Sequence, residues 1–255
     1  MTLTFLGTGT SQGVPVIACP CAVCASQDPR DKRLRSSALI TTDDGKNLLI
    51  DIGPDFREQM LREKVDHLDG ILVTHAHRDH VGGIDDIRSF NYVQHCNMHV
   101  YANHTTLQAI HHAYGYIFEP HEFAGLPEAD LFEVDSNTPF FVDGVSVIAI
   151  AALHKYLPVL GFRIGNLAYL TDFNHITPSE TEKLRGCHTL VLGCLRRQKH
   201  FSHLSLPEAL DFIESVNPQV AYLTHISHEM GFHEATSSEL PPRVHLAYDG
   251  LRISC

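Results

Sequence analysis

The chain has 255 residues, 44% of them hydrophobic, and a formal net charge of −11 at pH 7. That length suits one large domain or two small ones with a sizeable core, and the composition excludes a disordered chain. The acidic balance argues against extended nucleic-acid binding, which rests on phosphate contacts from Lys and Arg, and no apolar run approaches the ~18–20 residues of a membrane-spanning helix.

In chain order, the opening Met1-Thr-Leu-Thr-Phe-Leu-Gly lacks a basic region and a cleavage site. It reads as a first strand rather than a signal peptide, and the cytoplasm is the expected compartment. Strands are predicted at Leu3–Leu6, Ala38–Thr41, Asn47–Asp51, Gly70–Thr74 and Met98–Tyr101, then at Val145–Ala151, Leu160–Ile164, Leu167–Leu170, Leu190–Leu192, Val220–Leu223 and Val244–Ala247. Helices are predicted at Phe56–Glu63, Gly83–Tyr92, His104–His112, Ser179–Leu184 and Leu206–Ser215. Pro178 and Pro207 stand at or near helix starts, where proline is tolerated. Strands arrive in runs and outnumber helices, which argues for sheets covered by helices. No repeat, linker or low-complexity tract divides the chain, so a single domain over residues 1–255 is expected.

Two counts stand out: 19 His, and 7 Cys of which Cys19, Cys21 and Cys24 lie within six positions. Clustered Cys with abundant His points to metal rather than to a disulfide framework. The segment His75-Ala-His77-Arg-Asp79-His80 follows the strand Ile71-Leu-Val-Thr74. Imidazole and carboxylate suit zinc, manganese or iron. The segment is too short to close on one ion in sequence order and suits two adjacent ions with partners from elsewhere; a solvated polar loop is the plain alternative. A His or Asp placed where a strand ends supplies the partners: His154 after Ala151-Ala-Leu153, Asp172 after Ala168-Tyr-Leu-Thr171, and His225 after Val220-Ala-Tyr-Leu-Thr224.

This pattern resembles the metallo-β-lactamase superfamily over essentially the whole chain. The resemblance implies a four-layer αβ/βα sandwich, two mixed sheets flanked by helices, with a binuclear site between them. Carried over, His75, His77 and His154 would hold one divalent metal, Asp79, His80 and His225 the other, and Asp172 would bridge them. Paired metals about 3.5–4 Å apart make a bridging hydroxide nucleophile and clamp the attacked group. The ions expected are manganese or zinc, with iron also compatible.

The opening Thr4-Phe-Leu-Gly-Thr-Gly-Thr-Ser-Gln-Gly-Val-Pro15 is similar to the phosphodiesterase branch, which includes ribonuclease Z and the PhnP-type cyclic phosphodiesterases. As a bare feature it reads either as a phosphate cradle or, preferably, as a tight turn near the metals. The spacing Cys19-x-Cys21-x-x-Cys24 can place three thiolates on one tetrahedral zinc. His228, in Thr224-His-Ile-Ser-His228, is the natural fourth ligand, and PhnP-type enzymes have this same structural zinc site. It would staple the loop around residues 13–35 to the strand that supplies His225. His203 matches a PhnP-type histidine that protonates the leaving alkoxide; His200 is its competitor. His203 and Asp79 are thus the expected catalytic residues.

The letters His233-Glu-Ala-Thr236 spell a ribonuclease Z motif, but they come after His225 instead of preceding it, and read as coincidence. Asp51 and Asp249 are candidate acceptors for ligand histidines or turn caps. Arg35, Arg88, Lys155 and Arg196 are candidates for a second substrate phosphate. The other cysteines, Cys96, Cys187, Cys194 and Cys255, read as ordinary thiols.

The resemblance implies a binuclear phosphodiesterase acting on a small cyclic phosphodiester, with 5-phosphoribosyl 1,2-cyclic phosphate of phosphonate catabolism as the suggested substrate. The expected partner is a small phosphorylated molecule, with no membrane and no nucleic acid, and a homodimer is the base expectation. The rival readings are a ribonuclease Z-like tRNA endonuclease, a lactonase or thioesterase, and a non-catalytic metal-dependent binding protein.

Overall fold

The computed structural model describes residues 1–118 and 125–255. Its strands explain why so many apolar runs lack polar alternation: they are covered on both faces. Asn47–Ile50 is buried throughout, with Leu48 and Ile50 in one core and Leu49 in another. Ala168 and Leu170 likewise face away from the core that holds Tyr169.

The chain runs through β1 (Thr2–Gly7), β2 (Ser37–Thr41), β3 (Asn47–Ile50), α1 (Phe56–Glu63), β4 (Gly70–Leu72), α2 (Arg78–Val81), α3 (Arg88–Gln94), β5 (Met98–Ala102), α4 (His104–Ala113) and α5 (Gly115–Phe118). After these come β6 (Ala129–Glu133), β7 (Phe140–Val142), β8 (Val145–His154), β9 (Leu157–Ile164), β10 (Leu167–Leu170), α6 (Pro178–Glu182) and β11 (Thr189–Gly193). The chain ends with α7 (Leu206–Val216), β12 (Val220–Thr224), α8 (His233–Glu239), β13 (Val244–Leu246) and β14 (Arg252–Ser254).

The strands form two seven-stranded sheets, ordered β14-β1-β2-β3-β4-β5-β6 and β13-β12-β11-β10-β9-β8-β7. Both are mixed: β3 to β6 and β10 to β13 pair in parallel, and the remaining neighbours are antiparallel. One core, including Phe5, Ile50, Phe162 and Tyr169, lies between the sheets. A second joins the outer face of one sheet to Phe56, Ile87, Phe90 and Ile110, and a third joins the other sheet to Leu206, Ala209, Ile213 and Val216. Three apolar interfaces separate four layers, as the αβ/βα sandwich requires.

α7 shows how local sequence builds a layer. Its buried residues recur at spacings of three and four, one face of a helix. At its start the Glu208 carboxylate accepts from the Ser205 backbone N–H at 3.0 Å and from its hydroxyl at 2.6 Å. Among the described residues no helix is long and apolar enough to cross a membrane.

Three strands were not expected from sequence: β6, β7 and β14. All three are edge strands with half-exposed patterns, so their burial signal is weak. The helix expected at Gly83–Tyr92 begins instead as a 3-10 turn, Ile84–Ile87, before α3. The strand expected to stop at Ala151 continues through His154, because β9 pairs with it up to Leu157.

Candidate metal centre

The site lies where strands of both sheets end. Asp51 follows β3, and Thr74 and His75 lie just beyond β4. His154 is the last residue of β8, Asp172 stands two residues past β10, and His225 directly follows β12. His203 lies on the loop between β11 and α7. Open α/β sheets place their sites at such carboxyl ends. The Leu160 N–H donates to Thr74 O at 2.9 Å, tying the two sheets together beside His75. Three of these positions have left-handed backbone without being glycine: Asp51 (φ 60°), Asp172 (φ 51°) and His225 (φ 57°). Such conformations cost about 1–3 kcal/mol each and cluster at functional sites. Gly53 admits the backbone of the motif itself: a Cβ there would lie 2.2 Å from Asp79 O.

The structure brings together all seven residues expected around the pair of ions. Ligating atoms of His75, His77 and His154 lie within 4.8 Å of one another, as do those of Asp79, His80 and His225. Asp172 touches both groups: its carboxylate clusters within 4.8 Å of His75 with His80 and of His154 with His203, and it lies 3.2 Å from both His80 Nε2 and His225 Nε2. His80 Nε2 is also 3.2 Å from Asp79 Oδ2. Despite these separations, His80 Nε2 and both ring nitrogens of His225 are buried without a hydrogen-bond partner among the described residues. The donor atoms converge on shared points instead of pointing at one another. Buried polar atoms are normally satisfied, so this set of imidazole and carboxylate donors fits divalent cations.

The electrostatics show a clustered negative potential that a divalent cation would neutralise in place of a proton on His80. Burial alone would raise the Asp172 carboxyl, but the charges of His225 and His80 overcome it and hold the group well below its ordinary range. Asp79 behaves likewise, with His80 opposing its burial. Burial would lower His80, yet Asp51, Asp79 and Asp172 hold it well above the usual imidazole value. His75 is driven well below that value by burial and by the His80 charge.

Asp51 orients His80: its Oδ2 is 2.6 Å from His80 Nδ1, and it also accepts from the Thr74 N–H (2.8 Å) and hydroxyl (2.9 Å). Asp249, the other expected acceptor, does not reach a histidine. It takes the Thr8 N–H at 2.9 Å, the Thr8 hydroxyl at 2.7 Å and the Leu34 N–H at 2.7 Å, and so ties loops together. His154 Nδ1 donates to Ser202 O at 2.8 Å, which directs Nε2 toward the cluster. His203 Nδ1 is 3.1 Å from Asp172 Oδ1 at the more open side. His200 pairs with the Ser202 hydroxyl at 3.3 Å, one ring further out.

Cys19, Cys21, Cys24 and His228 form a second cluster, all four ligating atoms within 4.8 Å. His228 Nδ1 lies 3.4 Å from Cys19 Sγ and 3.2 Å from Cys21 Sγ. The imidazole beside it holds the Cys21 thiol down to about 6, as a thiolate ligand requires. Three sulfurs and one imidazole suit tetrahedral zinc. The glycine-rich opening packs on the same strand end: Ile226 N–H donates to Thr8 O and Thr10 N–H to Ile226 O. It forms a turn, closed by the Gly13 N–H donating to Thr10 O at 2.8 Å.

Of the expected phosphate partners, Arg35 is paired with Asp55 at 2.9 Å and Arg196 with Glu229 at 2.6 Å. Arg88 and Lys155 have no ion pair among the described residues, and Lys155 lies over Tyr156 and Phe201. His233 opens α8, and its Nδ1 accepts from buried Arg33 at 3.2 Å, so this ring serves packing. Asn174 was not anticipated. It lies two residues past Asp172 and bonds both neighbouring loops, and no pattern in its sequence context marks that contact.

A profile of the beta-lactamase superfamily domain matches residues 46–226. The octanoyltransferase of Porphyromonas gingivalis is 42% identical over 252 residues, which is 98% of this chain and 51% of that protein. The chain therefore spans about half the length of this curated relative. A crystal structure described as a new diphosphatase from the PhnP family has 39% identity and a TM-score of 0.92, covering 100% of this chain and 97% of that one. Zinc-bound PqqB from Methylobacterium extorquens shares the fold, with a TM-score of 0.79 at 19% identity over 100% of both chains. With a profile covering most of its length and a PhnP-family structure matching it throughout, the chain belongs to the β-lactamase superfamily, in the PhnP family of metal-dependent hydrolases.

Proposed function

We propose that this chain hydrolyses a phosphoric ester or anhydride in a small phosphorylated substrate. His75, His77 and His154 would hold one divalent ion, Asp79, His80 and His225 a second, and Asp172 would lie between them. Cys19, Cys21, Cys24 and His228 would hold a structural zinc. Two divalent cations in the first site supply an acidified water and neutralise phosphoryl charge. The observation that carries the reading is His203, at the open side of a complete seven-residue donor set and 3.1 Å from Asp172. A departing alkoxide needs a proton, and His203 would hold one where it can be delivered. Asp79 serves the site as a ligand buried against His80.

The suggested 5-phosphoribosyl 1,2-cyclic phosphate, cyclic nucleotides and a diphosphate such as the PhnP-family relative's name implies all call for this chemistry. A second reading, thioester hydrolysis, is favoured by the name of the octanoyltransferase relative, half of which this chain matches. The manganese-loaded protein should be offered the phosphoribosyl cyclic ester, 2′,3′- and 3′,5′-cyclic nucleotides, a dinucleoside diphosphate, a precursor tRNA, a lactone and an octanoyl thioester. Turnover of the small phosphorylated compounds supports the proposal. Turnover confined to the thioester, lactone or tRNA overturns it.

A further inference from the structure

Past the His203 side of the cluster, the chain exposes two large rings. Phe201 is 68% exposed and Tyr156 is 83% exposed. The Lys155 ammonium lies 5.2 Å from each ring centroid. From His203, ring-to-ring steps of 5.1 Å to His200 and 4.4 Å to Phe201 lead out of the site. Tyr156 lies two residues beyond His154. Exposed aromatic rings beside a cation make a platform for a planar group that carries a phosphate.

The platform is built into the fold. Lys155 and Tyr156 form the whole turn between β8 and β9, since His154 pairs with Leu157. Lys155 has φ 59°, at a turn position that favours glycine. The Asn174 carbonyl accepts from the Lys155 N–H at 2.7 Å, and its amide donates to Phe201 O at 3.2 Å. One side chain thus sets both halves of the platform relative to His154, Asp172 and His203.

We propose that Phe201 and Tyr156 stack a nucleobase, so that the oxygen leaving phosphorus is carried by a nucleoside or nucleotide. The inference rests on the phosphohydrolase reading and narrows it. Hydrolysis breaks one P–O bond, adds the water oxygen to phosphorus and places a proton on the departing oxygen. If His203 supplies that proton, the departing group extends past His203 toward His200 and Phe201. A bare sugar phosphate offers those rings no π-face, whereas a base does.

The test compares 2′,3′-cyclic AMP with methyl riboside 2,3-cyclic phosphate, which has no base, on manganese-loaded protein. Wild type should favour cyclic AMP in kcat/KM. Phe201→Ala and Tyr156→Ala should each lower the cyclic AMP to base-free ratio by roughly 5- to 100-fold, mainly through KM. Phe201→Trp should keep the ratio, and Asn174→Ala, acting as a positioning change, should lower it. Calorimetry gives a readout without turnover: AMP should bind more tightly than ribose 5-phosphate, and Phe201→Ala should remove the difference. Equal losses on both substrates, or equal binding of the two phosphates by wild type, overturn the proposal. If no phosphoester is turned over but AMP is still preferred, the hydrolase reading falls and the base subsite stands.

Discussion

Replacing Asp51 with Asn changes one atom and removes a buried charge, and the hydrogen bonds around it dictate the effect on His80. One carboxylate oxygen serves His80 Nδ1 at 2.6 Å, and the other serves the Thr74 N–H at 2.8 Å. An amide has one acceptor and one donor end. If its NH2 faces His80, Nδ1 must become the acceptor, the ring proton moves to Nε2, and the lone pair needed by a metal is lost. If its NH2 faces Thr74, two buried donors oppose each other, at a cost of about 1–3 kcal/mol. In the first case metal affinity falls by roughly 10- to 100-fold, the usual effect of removing such a support, or about 1.4–2.7 kcal/mol. In the second, affinity survives and the melting temperature falls by roughly 2–4 °C per kcal/mol. Competitive metal titration and calorimetric melting of the metal-free Asp51→Asn protein separate the two. Wild-type metal affinity together with wild-type stability would refute the assignment of His80 Nε2 as a ligand.

Three further outcomes are expected. His203→Ala should cut turnover of esters with alkoxide leaving groups by about 10²–10⁴ while elemental analysis shows wild-type metal content; lost metal would make His203 a ligand instead. Cys21→Ser should remove one zinc equivalent, lower the melting temperature and leave the His/Asp pair loaded, whereas unchanged zinc would dispose of the structural site. Burial, helped by the Arg33 charge, lowers His233 to about 4 from an ordinary 6.5. Its contribution to stability is therefore complete above pH 6.5 and drains away as pH falls toward 4, amounting, once solvent screening is allowed for, to about 1–2 kcal/mol between pH 7 and 4.5. Denaturant unfolding at pH 7 and 4.5 should show wild type losing that much relative to His233→Asn, which keeps an acceptor for Arg33; parallel pH dependence of the two proteins would contradict this.

Sequence alone was enough to pick out side chains that the fold brings into one cluster, because the signal is local. His75, His77, Asp79 and His80 sit in six positions, and His154, Asp172 and His225 each occur where an apolar run stops. The spacing of Cys19, Cys21 and Cys24 likewise marked three thiols that the fold gathers beside His228. The central strands were legible for a related reason: residues such as Leu48 to Ile50 are buried on both faces, and unbroken apolarity is hard to mistake. The edge strands β6, β7 and β14 were not, since half their residues face water.

Only the folded chain decided which carboxylate supports a ligand. Asp51 and Asp249 look alike in sequence, each at the end of an apolar stretch. Strand pairing puts Asp51 beside β4, where it meets His80, and puts Asp249 against Thr8 and Leu34. The contacts of Asn174, which join a hairpin to the His203 loop, and of Arg33 with His233, 200 residues away, also exist only in three dimensions. Candidate donors are visible in side-chain chemistry and short spacing, whereas their orientation depends on long-range contacts that the packing of two sheets creates.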